Sequence, residues 1–129
     1  MFYLRDYVSD EVIKKAVSLE EAFGFNEVSW DKETVLEILR AIDVKSATIG
    51  IHGGYVYEST NMGIVMTYVS WSSSRYKNEG YYEFFHRTKV ESINFIENCS
   101  FGQIDKLLFS LTFTDLVNMT LAETDEEEY

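Results

Sequence analysis

The 129-residue chain has no proline and a single cysteine. Without proline there is no Pro-rich linker to separate domains. No internal repeat divides the chain either, and its length suits a single domain with a modest core. The lone Cys99 excludes an internal disulfide and fits a reducing compartment. It stands at helical spacing from Phe95 and Ile96, the position of a buried thiol; a nucleophilic cysteine needs a His or cationic neighbour to hold its thiolate. Long apolar runs are also missing, and none approaches the length that crosses a bilayer. The opening stretch MFYLRDYVSDEV sets Arg5, Asp6 and Asp10 where a secretory signal would be uninterruptedly apolar. Together these absences predict a cytoplasmic protein with no membrane partner.

Catalytic signatures are equally scarce. The chain has two histidines, His52 and His86, and neither forms a metal-ligand spacing with the other or with Cys99. The Gly53-Gly54 pair is followed by the strand-like YVYE rather than by a helix and a Lys-Ser/Thr, so it is not a phosphate loop. It reads instead as a turn or bulge where a Cβ would clash. The serines Ser72, Ser73 and Ser74 lack a G-x-S-x-G context and read as a polar loop. Glu58, Glu79 and Glu83 are not paired by spacing. The expectation is a protein that is not an enzyme and uses no metal or cofactor. A small hydrolase or ligand-binding enzyme with His52 or His86 in a cleft stays open as the alternative, as does an acidic regulatory adaptor.

Charge is lopsided. The formal net charge is −11. Five acids (Glu123, Asp125, Glu126, Glu127, Glu128) stand in the last seven residues, and residues 1–122 keep 17 acids against 11 bases, a net −6. The segment 121–129 reads as an acidic, disordered tail on a domain spanning 1–120. An acidic body opposes nucleic acid and anionic membrane and favours a basic partner.

Periodicity predicts an α+β fold. Ser9 caps a first helix with a stripe of Val12, Ala16, Leu19 and Phe23, closed by Gly24. FNEVSW reads as a link. Asp31 caps a second helix with the stripe Val35, Ile38, Leu39 and Ile42. SATIGI, GYVYE and GIVMTYVSW read as strands, the last two joined as a hairpin through ESTNMG. A long third helix runs from about Gly80 to Asn98, with Thr88 and Ser92 small enough in mid-stripe to allow close approach. KLLFSLTFTD reads as a final strand and LVNMTLAETDEEEY as a fraying end. The order ααβββαβ predicts one domain, a mainly antiparallel sheet of three or four strands with helices over one face.

Seven aromatics (Tyr55, Tyr57, Tyr68, Trp71, Tyr76, Tyr81, Tyr82) fall within 28 residues. Tyr and Trp fill cores, and they also anchor protein interfaces. The succession GFNEVSW-DKETVLEILRAI, IHGGYVYE, MTYVSW and FFHRTKVESINFIEN resembles the bacterial polymorphic-toxin immunity protein 40 family, from about Ala16 to Phe113. The run Gly53, Gly54, Val56, Tyr57, the run Thr67, Tyr68, Trp71 and the helix end at Phe95-Ile96-Glu97-Asn98 are its more specific parts. Two positions depart from the pattern. Tyr55 stands where relatives carry an acid, and Val69-Ser70 where they carry Asp-Asn. The resemblance implies a small protein that protects a bacterium from a toxin by tight binding, as in contact-dependent growth inhibition. The acidic body agrees, suiting a basic, nuclease-type toxin domain as cognate partner. The expected contact surface is the YVYESTNMG hairpin with the WSSSRYKNEG loop, through Tyr55, Glu58, Trp71, Arg75, Tyr76, Lys77 and Glu79.

Overall fold

Strand β3, twelve residues from Ile49 to Thr60, runs through the middle of the sheet in the computed structural model, which describes residues 4–43, 49–100 and 106–115. After a short 3-10 turn at Leu4–Asp6, the elements are α1 (Asp10–Ile13), β1 (Val17–Ser18), α2 (Glu20–Phe23), β2 (Val28–Asp31), α3 (Lys32–Ala41), β3, β4 (Gly63–Ser72), α4 (Tyr81–Asn98), β5 (Leu107–Phe109) and β6 (Thr112–Asp115). The strand order is β1-β2-β5-β3-β4, with β6 continuing beside β3. Every pairing among the described residues is antiparallel. The α+β class, the β3–β4 hairpin and the long helix are as the periodicity predicts. The 121–129 tail and the expected fraying end fall outside the described residues.

The two faces of the sheet are dressed differently. On one, α3 and α4 close a core of Val35, Ile38, Leu39, Val56, Phe85, Ile96 and Phe109. Thr88 and Ser92 are fully buried in α4, and each bonds to the sheet. Thr88 accepts the Ile51 amide at 3.1 Å while donating to the Phe84 carbonyl at 2.9 Å. Ser92 accepts the Trp71 indole N–H at 3.0 Å. On the other face a smaller cluster of Leu19, Tyr57 and Leu108 is closed by Phe23, Ile64 and Met66. The expectation that helices cover one face therefore needs correcting, because α2 lies on the second.

That arrangement explains why the first helix is broken. Val12 belongs to the core beneath α3 and α4, whereas Leu19 and Phe23 belong to the cluster on the far side of the sheet. One straight helix cannot serve both sides. The chain instead folds α1 under its Ser9 cap, crosses the sheet edge as β1, and forms the single turn α2 ending at Gly24. FNEVSW, read as a link, supplies β2, whose Trp30 is buried. Asp31 does cap the next helix, accepting the Thr34 amide at 2.8 Å. The sheet has six strands among the described residues rather than three or four, for two reasons. Short β1 and β2 carry too little alternation to register, and KLLFSLTFTD splits into β5 and β6. The split falls at Ser110, whose amide donates to the Tyr55 carbonyl and whose hydroxyl accepts the Tyr55 amide, both at 3.0 Å. SATIGI and GYVYE, conversely, meet in one strand: the described portion of the first, from Ile49, runs straight through Gly53-Gly54.

The double glycine is a close-approach site. Gly53 has φ +147°, and a Cβ there would run into the Trp71 carbonyl oxygen. At Gly54 a Cβ would meet the Ser110 carbonyl oxygen and the Trp71 ring. Trp71 belongs to β4 and Ser110 to the β5–β6 junction, both hydrogen-bonded to β3, so neither can retreat without opening those bonds. Gly54→Ala is expected to lower stability by about 3 kcal/mol, read as a shift of the urea midpoint with unchanged m-value.

Candidate functional site

The segment after β4 is a loop built around one arginine on α4. Arg87 grips Glu79 with two donors, Nε to Oε2 at 2.8 Å and Nη2 to Oε1 at 3.0 Å. Its third nitrogen, Nη1, donates to Glu91 Oε1 at 2.9 Å, an oxygen that also accepts the Ser73 hydroxyl at 2.8 Å. Arg87 further donates to the Ser74 carbonyl, and its guanidinium lies 3.9 Å from the centre of the Tyr76 ring. Glu79 Oε1 accepts the Tyr76 amide at 3.0 Å, and the Glu79 carbonyl accepts Arg75 Nε at 3.0 Å. Arg75 in turn lies over Tyr81, 5.2 Å from its centroid. Asn78, which takes the left-handed conformation more readily than most residues, turns the loop at φ 66°. The Ser-rich stretch is a polar loop as read, but a braced one.

The electrostatics follow from that geometry. Burial alone would raise the Glu79 carboxyl, but the hydrogen bonds from Arg87 and the Tyr76 amide outweigh it and hold the group below its ordinary 4.5. The same hydrogen bond raises the Arg87 guanidinium above its usual value against the opposing effect of burial. Only 8% of the Glu79 side chain is exposed. This carboxylate is already spent inside the protein and shapes the loop rather than presenting a free charge.

The remaining expected contact residues divide. Tyr55 and Tyr76 are about half exposed, and Lys77 is exposed in the loop. Glu58 is half-buried on β3 opposite Val65. Trp71 turns toward α4, stacked on Phe95 with centroids 4.9 Å apart, so its ring belongs chiefly to packing. Tyr55, adjacent to inward-facing Val56, points to the opposite face and pairs across the ladder with exposed Ser70.

The residues weighed for chemistry are scattered over the fold. His52 is exposed on β3, and His86 is exposed on α4 against the Tyr82 ring. Among the described residues no group of three His, Cys, Asp or Glu side chains is placed to hold a metal ion. Cys99 is buried, which raises its thiol pKa despite the opposing charge of Lys32.

Sequence reasoning passed over Arg87, which lies outside the apolar stripe of α4. Tyr68, counted in the sequence among the clustered aromatics but not among the contact residues, has φ 65° in a bulge and is 90% exposed. A positive φ in a non-glycine residue leaves no mark in hydrophobic alternation.

The Glu79–Arg87 pair gives a pH test with a definite sign. A carboxyl depressed in the folded state adds stability that is complete above its unfolded pKa and lost as pH falls through the lower folded value. Glu79→Gln should cost about 1–2 kcal/mol at pH 7. The Tm gap between wild type and Glu79→Gln should then narrow as the pH drops below 4.5. Thermal unfolding at stepped pH measures both.

The family model for immunity protein 40 matches residues 18–113, from β1 to β6. No curated protein and no solved structure matches the chain. The match takes in the double glycine, the hairpin, the braced loop and all of α4, and on its extent the chain belongs to the immunity protein 40 family.

Proposed function

We propose that this protein binds a cognate toxin tightly and stoichiometrically in the cytoplasm and neutralises it, and that the toxin is a basic, nuclease-type domain of a contact-dependent or other polymorphic toxin system. The observation that carries this reading is the family match across the sheet and α4. Membership makes the chain an immunity protein of a toxin system; binding rather than turnover is the work that follows. The charge supports a basic partner, because −11 on 129 residues steers cations inward and repels anions. The braced loop supports recognition, since Tyr76 held under Arg87 and Tyr81 held under Arg75 meet a partner with little ordering left to do.

Within the expected surface the roles separate. Tyr55, Arg75, Tyr76 and Lys77 stay as candidate contacts. Glu58 alternates with Tyr57 onto the opposite face beside Leu107, and Glu79 and Trp71 hold the loop and strand that present the rest. Co-expression with its cognate toxin domain should restore growth, and the two purified proteins should form a 1:1 complex. A wild-type chain that neither protects nor binds would end the reading. Deleting residues 121–129, which hold five acids and no base, should slow association several-fold, about three to ten times, at low salt. The same deletion should leave the lifetime of the complex unchanged in stopped-flow and dissociation measurements.

A further inference from the structure

Among the described residues, helix α2 covers only part of the sheet's second face. Its cluster reaches Tyr57, Ile64 and Met66, at the turn end of the hairpin. Further along, the paired Tyr55 and Ser70 are exposed. β4 ends the strand order, so beyond it no described strand follows. Between Val56↔Val69 and Tyr57↔Met66 the ladder skips Thr67 and Tyr68. Thr67 holds this bulge by donating to the Val56 carbonyl at 2.7 Å and accepting the Val69 amide at 3.2 Å. Its effect is to hold Tyr68 at φ 65° with 90% of the residue in solvent. A bulky residue in that conformation is costly unless its surroundings impose it.

The strip around Tyr68 is electrically blank. Residues 59–74 contain no Asp, Glu, Lys or Arg, in a chain where 26% of residues are charged. Acids border the second face toward the turn end of the hairpin and Tyr57. Glu21 borders the groove that Met62, Gly63 and Ile64 line, and Glu27 lies close enough to Tyr57 to raise its hydroxyl pKa, second to burial. A neutral aromatic centre with a charged margin is the anatomy of a protein interface. The margin is acidic, so the partner it complements is basic at its own rim.

Resting on the toxin-binding reading, we propose that the cognate toxin docks on this uncovered area of the second face. Tyr68 is its central anchor in an apolar pocket of the toxin, and Glu21 and Glu27 meet basic residues at the rim. Tyr55 and Ser70 form the floor beside the anchor.

Two variants test this against the purified cognate toxin domain, by calorimetric titration with Tm measured in parallel. Tyr68→Gly should raise the Kd about 30-fold or more without lowering the Tm, because glycine accepts φ 65° freely. Ser70→Arg, a charge set on the exposed neutral floor, should weaken binding at least about tenfold. Affinity within about threefold of wild type in both variants overturns the proposal, whatever happens to the Tm. A wild-type dimer in sedimentation that Tyr68→Gly dissolves, with toxin affinity intact, overturns it too and assigns the strip to a second copy. Failure of the wild-type chain to bind the toxin domain would instead remove the toxin-binding reading, which separates the two failures.

Discussion

Everything in this fold leans on β3 being hydrogen-bonded along both edges while helix α4 presses on one of its faces. β4 runs along one edge, and β5 and β6 share the other. A strand in that position has room for side chains only where no neighbour has closed in. At Gly53 and Gly54 the Trp71 and Ser110 carbonyls have closed in, and no Cβ fits. The same squeeze brings Trp71 beneath α4, where the Ser92 hydroxyl accepts a hydrogen bond from its indole N–H and Phe95 stacks on its ring. The glycine pair and the tryptophan are therefore one packing solution seen from two strands. Once β3 is fixed, the side of each residue on β4 is fixed as well.

The braced loop extends that order outward. Arg87 belongs to α4, not to the loop, yet it holds the loop by a carboxylate, a backbone carbonyl and an aromatic ring at once. A guanidinium has the five donors and flat face for this, and an ammonium does not. Shape in the loop thus depends on Glu79 and on one residue of a rigid helix. Lys77 is exposed in the same loop. An immunity protein that must track a changing toxin gains from such a division between frame and contact.

Much of the frame was legible in the sequence because it is written in periodicity. The α4 stripe, the Asp31 and Ser9 caps and the hairpin turn all rest on local chemistry, and each stands where its residues put it. The N-terminal segment was not legible because the stripe Val12, Ala16, Leu19, Phe23 obeys helical spacing while its members belong to two clusters on opposite sides of a sheet. Which side each joins is decided by residues far along the chain. The surface was less legible still. Glu79 reads as a free acid until Arg87 is found around it. Tyr68 reads as an alternating strand residue until the register slips at Val56.

The bulge at Thr67–Tyr68 also bears on how such a protein is kept. A resident antidote has to accumulate before it is needed, and crowded chains with long neutral edge strands tend to stack into fibrils. Segments of about six or seven uncharged residues are enough to seed that growth. β4 offers ten residues, none charged, but the bulge cuts them into Gly63–Met66 and Val69–Ser72. Each piece is too short to zip onto a copy of itself, and the kink between them spoils the flat register that a fibril repeats. The distortion that lifts a tyrosine into solvent thus also works against edge-to-edge stacking of this strand.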